Sequence, residues 1–348
     1  MMTAAIALGC GLVGQFVVER LLENGHEVTV VDLNIPEKLS SNPRVTALVG
    51  DVTQHIENLP SHSVIINMLP GRIGDKVRPQ LLSAGHNIVD LAFTAEDPHL
   101  HQQLAVENNA VLLWDVGIAP GMSNMLAKKG AEALGHLDTL TIKVGGNPTA
   151  PDGGWSYMAP FSPSDVIEEY TRPARIKSNN DVFEVPPITD RHMIQVGEYG
   201  EMEAFLTDGL RSVLTTISAS NMKEYTVRWP GHIQKWLDSQ GVLEESEMLD
   251  AWSYDASREE FTWLEVVAKT AQNQKRWVVQ DSGRNGDGSM ARTTGLVTAA
   301  CALLFLKSGP LQGCGLEPGV HPPEALSTEA IDYVIAMMRD HGVQFDED

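Results

Sequence analysis

Three glycines, Gly9, Gly11 and Gly14, close the short apolar run Ala4-Ala5-Ile6-Ala7-Leu8 and open a segment of helical periodicity. Eighteen residues after Gly14, a second apolar run, Val28-Thr29-Val30-Val31, ends in Asp32. This spacing predicts a strand, a tight turn, a helix and a second parallel strand, the opening unit of a dinucleotide-binding sheet. In such a unit the first glycine permits the turn, the second lets the backbone approach a pyrophosphate, and the third lets helix and strand pack closely. The helix start, with Leu12 and Val13, turns its N–H groups to the phosphates. Asp32 is placed to accept from the ribose hydroxyls and to repel a 2′-phosphate, and Leu33-Asn34 behind it supply no arginine. NAD is therefore expected ahead of NADP. The competing reading is an ordinary strand-to-helix turn in which Asp32 caps a strand end.

One phrase repeats through the first 115 residues: a helix, a Gly or Asn stop, then a buried strand ending in aspartate. Leu21–His26 leads to Asp32, Leu81–His86 leads to Asn87-Ile88-Val89-Asp90, and Ala105–Asn109 leads to Ala110–Asp115. Val45–Leu48 and Val64–Met68 supply two more strands. The alternation predicts a doubly wound parallel sheet with ligands outside the carboxyl ends of its strands. On that rule Asp51 lies near the adenine, Asn67, Leu69 and Pro70 lie toward the nicotinamide, and Asp90 and Asp115 point the same way. For each aspartate the alternative is a cap on the following turn.

At 348 residues the chain exceeds one ordinary core. After Pro120-Gly121 the strands alternate, six of the seven tryptophans fall beyond residue 150, and Asn285-Gly286 marks a hairpin turn. The expected fold is α/β: a discontinuous Rossmann-type domain over 1–122, an inserted mixed α+β domain over 123–288, and C-terminal helices over 289–348 returning to the first domain. The apolar helix Gly295–Lys307 is expected to stop at Gly309-Pro310. The tryptophans around Trp229 to Trp263 read as core, and the aromatic sheet as a dimer surface.

With 46 acidic and 25 basic side chains the net charge is −21, which argues against nucleic acid and anionic membrane as partners. The apolar stretch Leu296–Leu306 is too short to span a bilayer, and the N-terminus shows no basic region or cleavage site, so a cytoplasmic protein is expected. Cys10, Cys301 and Cys314 form no CxxC pair, and His99 and His101 form only an HxH, so neither disulfides nor a metal are expected. Cys10, inside the glycine loop, reads as packing rather than as a nucleophile.

Seven phrases resemble the saccharopine dehydrogenase family, and its lysine 6-dehydrogenase branch most closely. They are Asp115–Met122, Val144–Pro148, Glu169–Ala174, Glu203–Gly209, Thr226–His232, Met290–Thr293 and Gly319–Glu324, in family order along nearly the whole sequence. The resemblance implies a Rossmann domain interrupted by a catalytic and dimer-forming domain, hence a homodimer or higher homo-oligomer. It implies oxidation of a carbon–nitrogen bond at the side-chain end of a lysine-type substrate, with NAD or NADP. On the lysine reading the products are the 6-semialdehyde, ammonia and NADH. A saccharopine dehydrogenase or reductase, which releases glutamate, and a polyamine-forming relative are the alternatives within the family. A non-catalytic NAD-binding module is the alternative outside it. Met158, Arg172 and Thr207–Arg211 depart from the family pattern.

Hydride removal next to nitrogen needs a neutral amine, hence a proton acceptor. Asp115, Tyr157 and His232 are the candidates for that role. A substrate carboxylate calls for a planar cationic fork, which Arg228, ahead of Arg211 and Arg292, can supply. Asp208 is the candidate partner for an amino group. Each has a plainer reading as a surface histidine, a surface ion pair or a turn-former before Gly209.

Overall fold

The computed structural model describes residues 4–159, 161–306 and 313–348. The helix stop expected at Gly309-Pro310 lies outside the described residues. The chain divides into two units, one formed by residues 1–122 and 294–341, the other by 123–293 and 342–348.

Among the described residues the first unit holds a seven-stranded sheet in the order Gly319–His321, Val111–Leu113, Asn87–Asp90, Val64–Asn67, Ala5–Leu8, Val28–Asp32, Val45–Val49. Every pairing is parallel. The central strands are continuous apolar runs because both faces are covered. Ile6, Leu8, Val31, Ile65, Leu81 and Leu112 share one core cluster, and full burial of each such residue contributes roughly 1.5–3 kcal/mol. The helix Leu12–Glu23 buries Phe16, Val17 and Leu21, one face at helical spacing. Leu8 lies in register with Val31 and with Asn67, so Gly9, Asp32 and Met68 emerge together at the carboxyl ends. The strand Gly319–His321 was not anticipated, since three residues are too few to show a period.

Among the described residues the second unit is built on a nine-stranded mixed sheet. Ala219–Arg228 runs parallel to Leu137–Pro148 and antiparallel to Gly200–Leu206, and Glu260–Lys269 runs antiparallel to Leu137–Pro148. Asn285 and Gly286 take φ of 56° and 89° within the Arg284–Asp287 bridge, the left-handed pair that a tight hairpin turn requires. The six tryptophans beyond residue 150 are all buried within this unit. The tryptophans read as core are core: their rings are held inside by the same area term that buries the aliphatics.

Among the described residues no helix is long and apolar enough to cross a membrane, and no cluster of His, Cys, Asp and Glu could hold a metal ion. Cys10 is buried and reduced. Burial, with Asp32 beside it, pushes its thiol up to about 12, which fits packing.

Candidate functional site

The glycine loop of the first unit shows why its three glycines differ. A Cβ on Gly9, whose φ is 98°, would lie 2.7 Å from the Met68 carbonyl oxygen, and one on Gly14 would lie 2.4 Å from that of Gly9. Both contacts are too close for any substituent. A Cβ on Gly11 would meet nothing within 4 Å. That open edge adjoins the start of the helix Leu12–Glu23, where Gly11 offers no capping group of its own, so an anion can approach the first turn. Asp32 accepts the N–H of Cys10 and, at 2.8 Å, that of Asn34. It thereby ties the loop to the second strand, while each carboxylate oxygen keeps capacity for a ribose hydroxyl. These residues fit a dinucleotide.

The remaining cofactor candidates lie along the same strand ends. Leu12 is exposed and Val13 half-buried, both on the first helical turn. Asp51 is exposed and caps the helix Val52–His55, accepting from Thr53 N at 2.8 Å and Thr53 Oγ1 at 2.6 Å. The bonds from Thr53 hold its carboxyl below the usual range. Asn67 is buried and donates to the Gly74 carbonyl at 3.3 Å, and Leu69 and Pro70 lead into the helix Gly71–Ser83.

In place of the open carboxylate expected at a cofactor contact, Asp90 is fully buried and bonded to Arg78 Nε at 2.7 Å. Its other oxygen accepts the Ala92 N–H at 2.7 Å. Burial opposes the charge on Arg78, but Asp90, Asp115 and Asp75 outweigh it and hold the guanidinium above its usual value. Arg78 also donates to Thr94 Oγ1 and to the Ala92 carbonyl, both at 2.9 Å. Asp115 is buried, with a left-handed φ of 55°, inside the field of this arginine.

In the second unit three of the candidates come together. The Arg228 guanidinium lies 4.6 Å from the Tyr157 ring centre, and the Tyr157 and His232 rings are 5.0 Å apart. Tyr170, on the helix Pro163–Thr171, joins them. Arg228 Nε donates to Tyr170 Oη at 2.8 Å, and Tyr170 Oη lies 3.1 Å from His232 Nε2. His232 Nδ1 lies 2.9 Å from the Trp155 carbonyl. A carbonyl only accepts, so Nδ1 carries the proton and Nε2 accepts from Tyr170. Burial, with the Arg228 charge beside it, lowers His232 to about 3, so the ring stays neutral. The Tyr157 hydroxyl is buried beside the Arg228 guanidinium without a well-formed hydrogen bond. Burial pushes its ionisation upward.

Arg228 is less open than a substrate fork. Nη1 donates to the Val227 carbonyl at 3.0 Å, and Nη2 stands 3.8 Å from Glu169 Oε2. Asp208, expected to meet an amino group, is instead buried in a two-point pair with Arg175 at 2.8 and 2.9 Å. The planar fork of arginine occupies both of its oxygens. Arg211 is buried at a left-handed φ of 52°, close enough to add to the burial that lowers Arg172. Arg292 pairs with Asp281 at 2.9 and 3.3 Å. Sequence reasoning missed Arg78, Trp155 and Tyr170 as parts of these sites; Tyr170 stood in a quoted phrase, but nothing local singled it out.

Residues 117–343 match the family of the saccharopine dehydrogenase C-terminal domain. Over 155 residues the protein is 22% identical to alpha-aminoadipic semialdehyde synthase of Arabidopsis thaliana, a match covering 43% of this chain and 15% of that protein. Its fold is shared with apo saccharopine dehydrogenase (L-Glu forming) from Saccharomyces cerevisiae, at a TM-score of 0.77 and 15% identity, covering 99% of both chains. An amine dehydrogenase from Mycobacterium smegmatis superposes with a TM-score of 0.49 and 13% identity, over 94% of this chain and 96% of that one.

Proposed function

The chain belongs to the saccharopine dehydrogenase family, and we propose that it is an NAD-dependent oxidoreductase that oxidises the bond between C6 of lysine and its amino nitrogen. The products on this reading are the 6-semialdehyde, ammonia and NADH. The observation that supports it most is the glycine loop, with two positions closed to any substituent and the third open beside a helix start.

When bound, the nicotinamide would take up hydride from the carbon that bears nitrogen. Gly9 to Gly14 and the first turn of Leu12–Glu23 would hold the pyrophosphate, and Asp32 would accept from the adenosine ribose and repel a 2′-phosphate. In the second unit the Tyr157 hydroxyl, which lacks a well-formed hydrogen bond, and the Nη2 edge of Arg228 are the groups we assign to substrate, the hydroxyl to the amine and the guanidinium edge to a carboxylate. His232, neutral and bonded at both nitrogens, then serves to position Tyr170 and through it Arg228.

A second reading, oxidation of saccharopine with release of glutamate, is favoured by the 0.77 TM-score to the yeast L-Glu-forming enzyme. Incubation with lysine or saccharopine and either dinucleotide, followed by assays for reduced cofactor, ammonia and glutamate, tests both. Reduced NAD and ammonia with lysine are expected. Glutamate released from saccharopine, with lysine inert, would replace the first reading by the second, and absence of dinucleotide binding in calorimetry would reject both.

A further inference from the structure

Four residues of the second unit form a line that the proposed reaction leaves unused. Glu224 and Thr226 are two apart on the strand Ala219–Arg228 and so share a face. Thr207 directly follows the neighbouring strand Gly200–Leu206, and Glu169 precedes Tyr170 on the helix Pro163–Thr171. Thr207 Oγ1 lies 2.7 Å from Glu224 Oε2 and 2.8 Å from Thr226 Oγ1. Thr226 Oγ1 is in turn hydrogen-bonded to Glu169 Oε1. Glu224, Thr207 and Thr226 are buried, whereas the Glu169 side chain keeps 18% of its exposure.

Three oxygen-to-oxygen contacts need three hydrogens. The two threonine hydroxyls supply two, and ionised carboxylates supply none. The third must be a carboxyl proton. If Glu224 carries it, Glu224 donates to Thr207, Thr207 to Thr226 and Thr226 to Glu169. If Glu169 carries it, every bond in the line reverses. The two arrangements interconvert by shifting hydrogens along the line, with no bond between heavy atoms made or broken.

Asp208 is neutralised by Arg175. Arg228 Nη2 stands 3.8 Å from Glu169 Oε2, and Arg172 and Arg211 lie near Asp208. Tyr157 and Tyr170 adjoin Glu169, and Asp208 and Glu169 bear on Glu224.

We infer that Glu169 and Glu224 hold one dissociable proton between them, passed through Thr226 and Thr207, with Glu169 the end that exchanges it with a bound amine. In accord with this, burial pushes the Glu224 carboxyl up to about 8, the bonds from Thr207 and, at 3.0 Å to Oε2, from the Gly209 N–H only partly offsetting it. The use of the proton by an amine rests on the proposed oxidation, whereas the shared proton itself does not.

Infrared spectra of the full-length protein labelled with carbon-13 glutamate, recorded near neutral pH, test the pair in the resting state. With the Glu260 band assigned from Glu260→Gln, wild type is expected to show a further protonated-carboxyl band that is lost in Glu224→Gln. The band should also be lost in Glu169→Gln, because the new amide N–H supplies the third hydrogen and Glu224 can then ionise. A Glu224 that is merely buried would keep its proton in Glu169→Gln. A band undiminished in Glu169→Gln, or no such band in wild type, would overturn the inference. Because Glu169 is partly exposed, its variant reads the pair even if Glu224→Gln does not fold. Since the spectra need no substrate, a protein that oxidised neither lysine nor saccharopine would leave this result standing.

Discussion

Gly11 and Gly14 are the same residue type with opposite constraints. Alanine at Gly14 would drive a methyl into a carbonyl oxygen 2.4 Å away, so the loop must shift and both stability and dinucleotide affinity fall. Alanine at Gly11 meets open space. Gly11→Ala should therefore leave thermal stability within about 0.5 kcal/mol of wild type, yet weaken dinucleotide binding on the order of tenfold or more in calorimetry. Equal losses in both measurements would show that the Gly11 edge is not the phosphate surface. The buried ionisable groups make a second prediction at this scale. His232 is lowered to about 3, so between the usual 6.5 and that value the unfolded chain binds more protons than the native one. Its contribution is complete above about pH 6.5 and is lost as pH falls, at about 1.4 kcal/mol per unit. Glu260, raised to about 7 chiefly by burial, acts in the opposite sense: its contribution is complete below its unfolded value of about 4.5 and is lost as pH rises through 7. Glu260→Gln should flatten the decline in melting temperature between about pH 4.5 and pH 7. An unchanged slope there would remove Glu260 from the account.

Among the elements, the helix Gly71–Ser83 shows how little a local pattern says about a buried ion. Arg78 falls on its buried face with Val77 and Leu81, and its guanidinium is spent on Asp90, Thr94 and the Ala92 carbonyl. Arg78→Met leaves the Asp90 carboxylate without its cation and should cost about 3–5 kcal/mol in denaturant unfolding. The double variant Arg78→Met with Asp90→Leu should recover much of that loss, because a pair replaced whole leaves no stranded charge. A double variant no better than the single would show that Arg78 also supports Asp115. The helix Pro163–Thr171 is a similar case, since Glu169 and Tyr170 are adjacent and enter different hydrogen-bond lines. In the strand Ala219–Arg228, by contrast, alternation was readable, and Glu224, Thr226 and Arg228 do share a face.

Across the whole molecule the net charge of −21 sets a self-repulsion that folding concentrates. Raising the salt concentration from about 0.01 M to about 0.5 M, which shortens the screening length from roughly 30 Å to a few ångströms, should raise the melting temperature. A fall would mean that ion pairs such as Lys143–Glu265 outweigh the repulsion. The path of the backbone is discontinuous: it leaves the first unit after residue 122, re-enters it at 294, and gives its last residues, 342–348, to the second. What the sequence by itself determined is the class of fold and the dinucleotide loop, because both are encoded by neighbours within about twenty residues, in strand periods, glycine spacing and the aspartate that ends a strand. Tertiary structure alone decided which polar groups meet. Arg228 finds Tyr170 across 58 positions, Tyr170 finds His232 across 62, and Asp208 finds Arg175 across 33. Those partnerships leave no period in the sequence; they arise where buried polar atoms, cut off from water, must be satisfied by whatever the fold brings within reach.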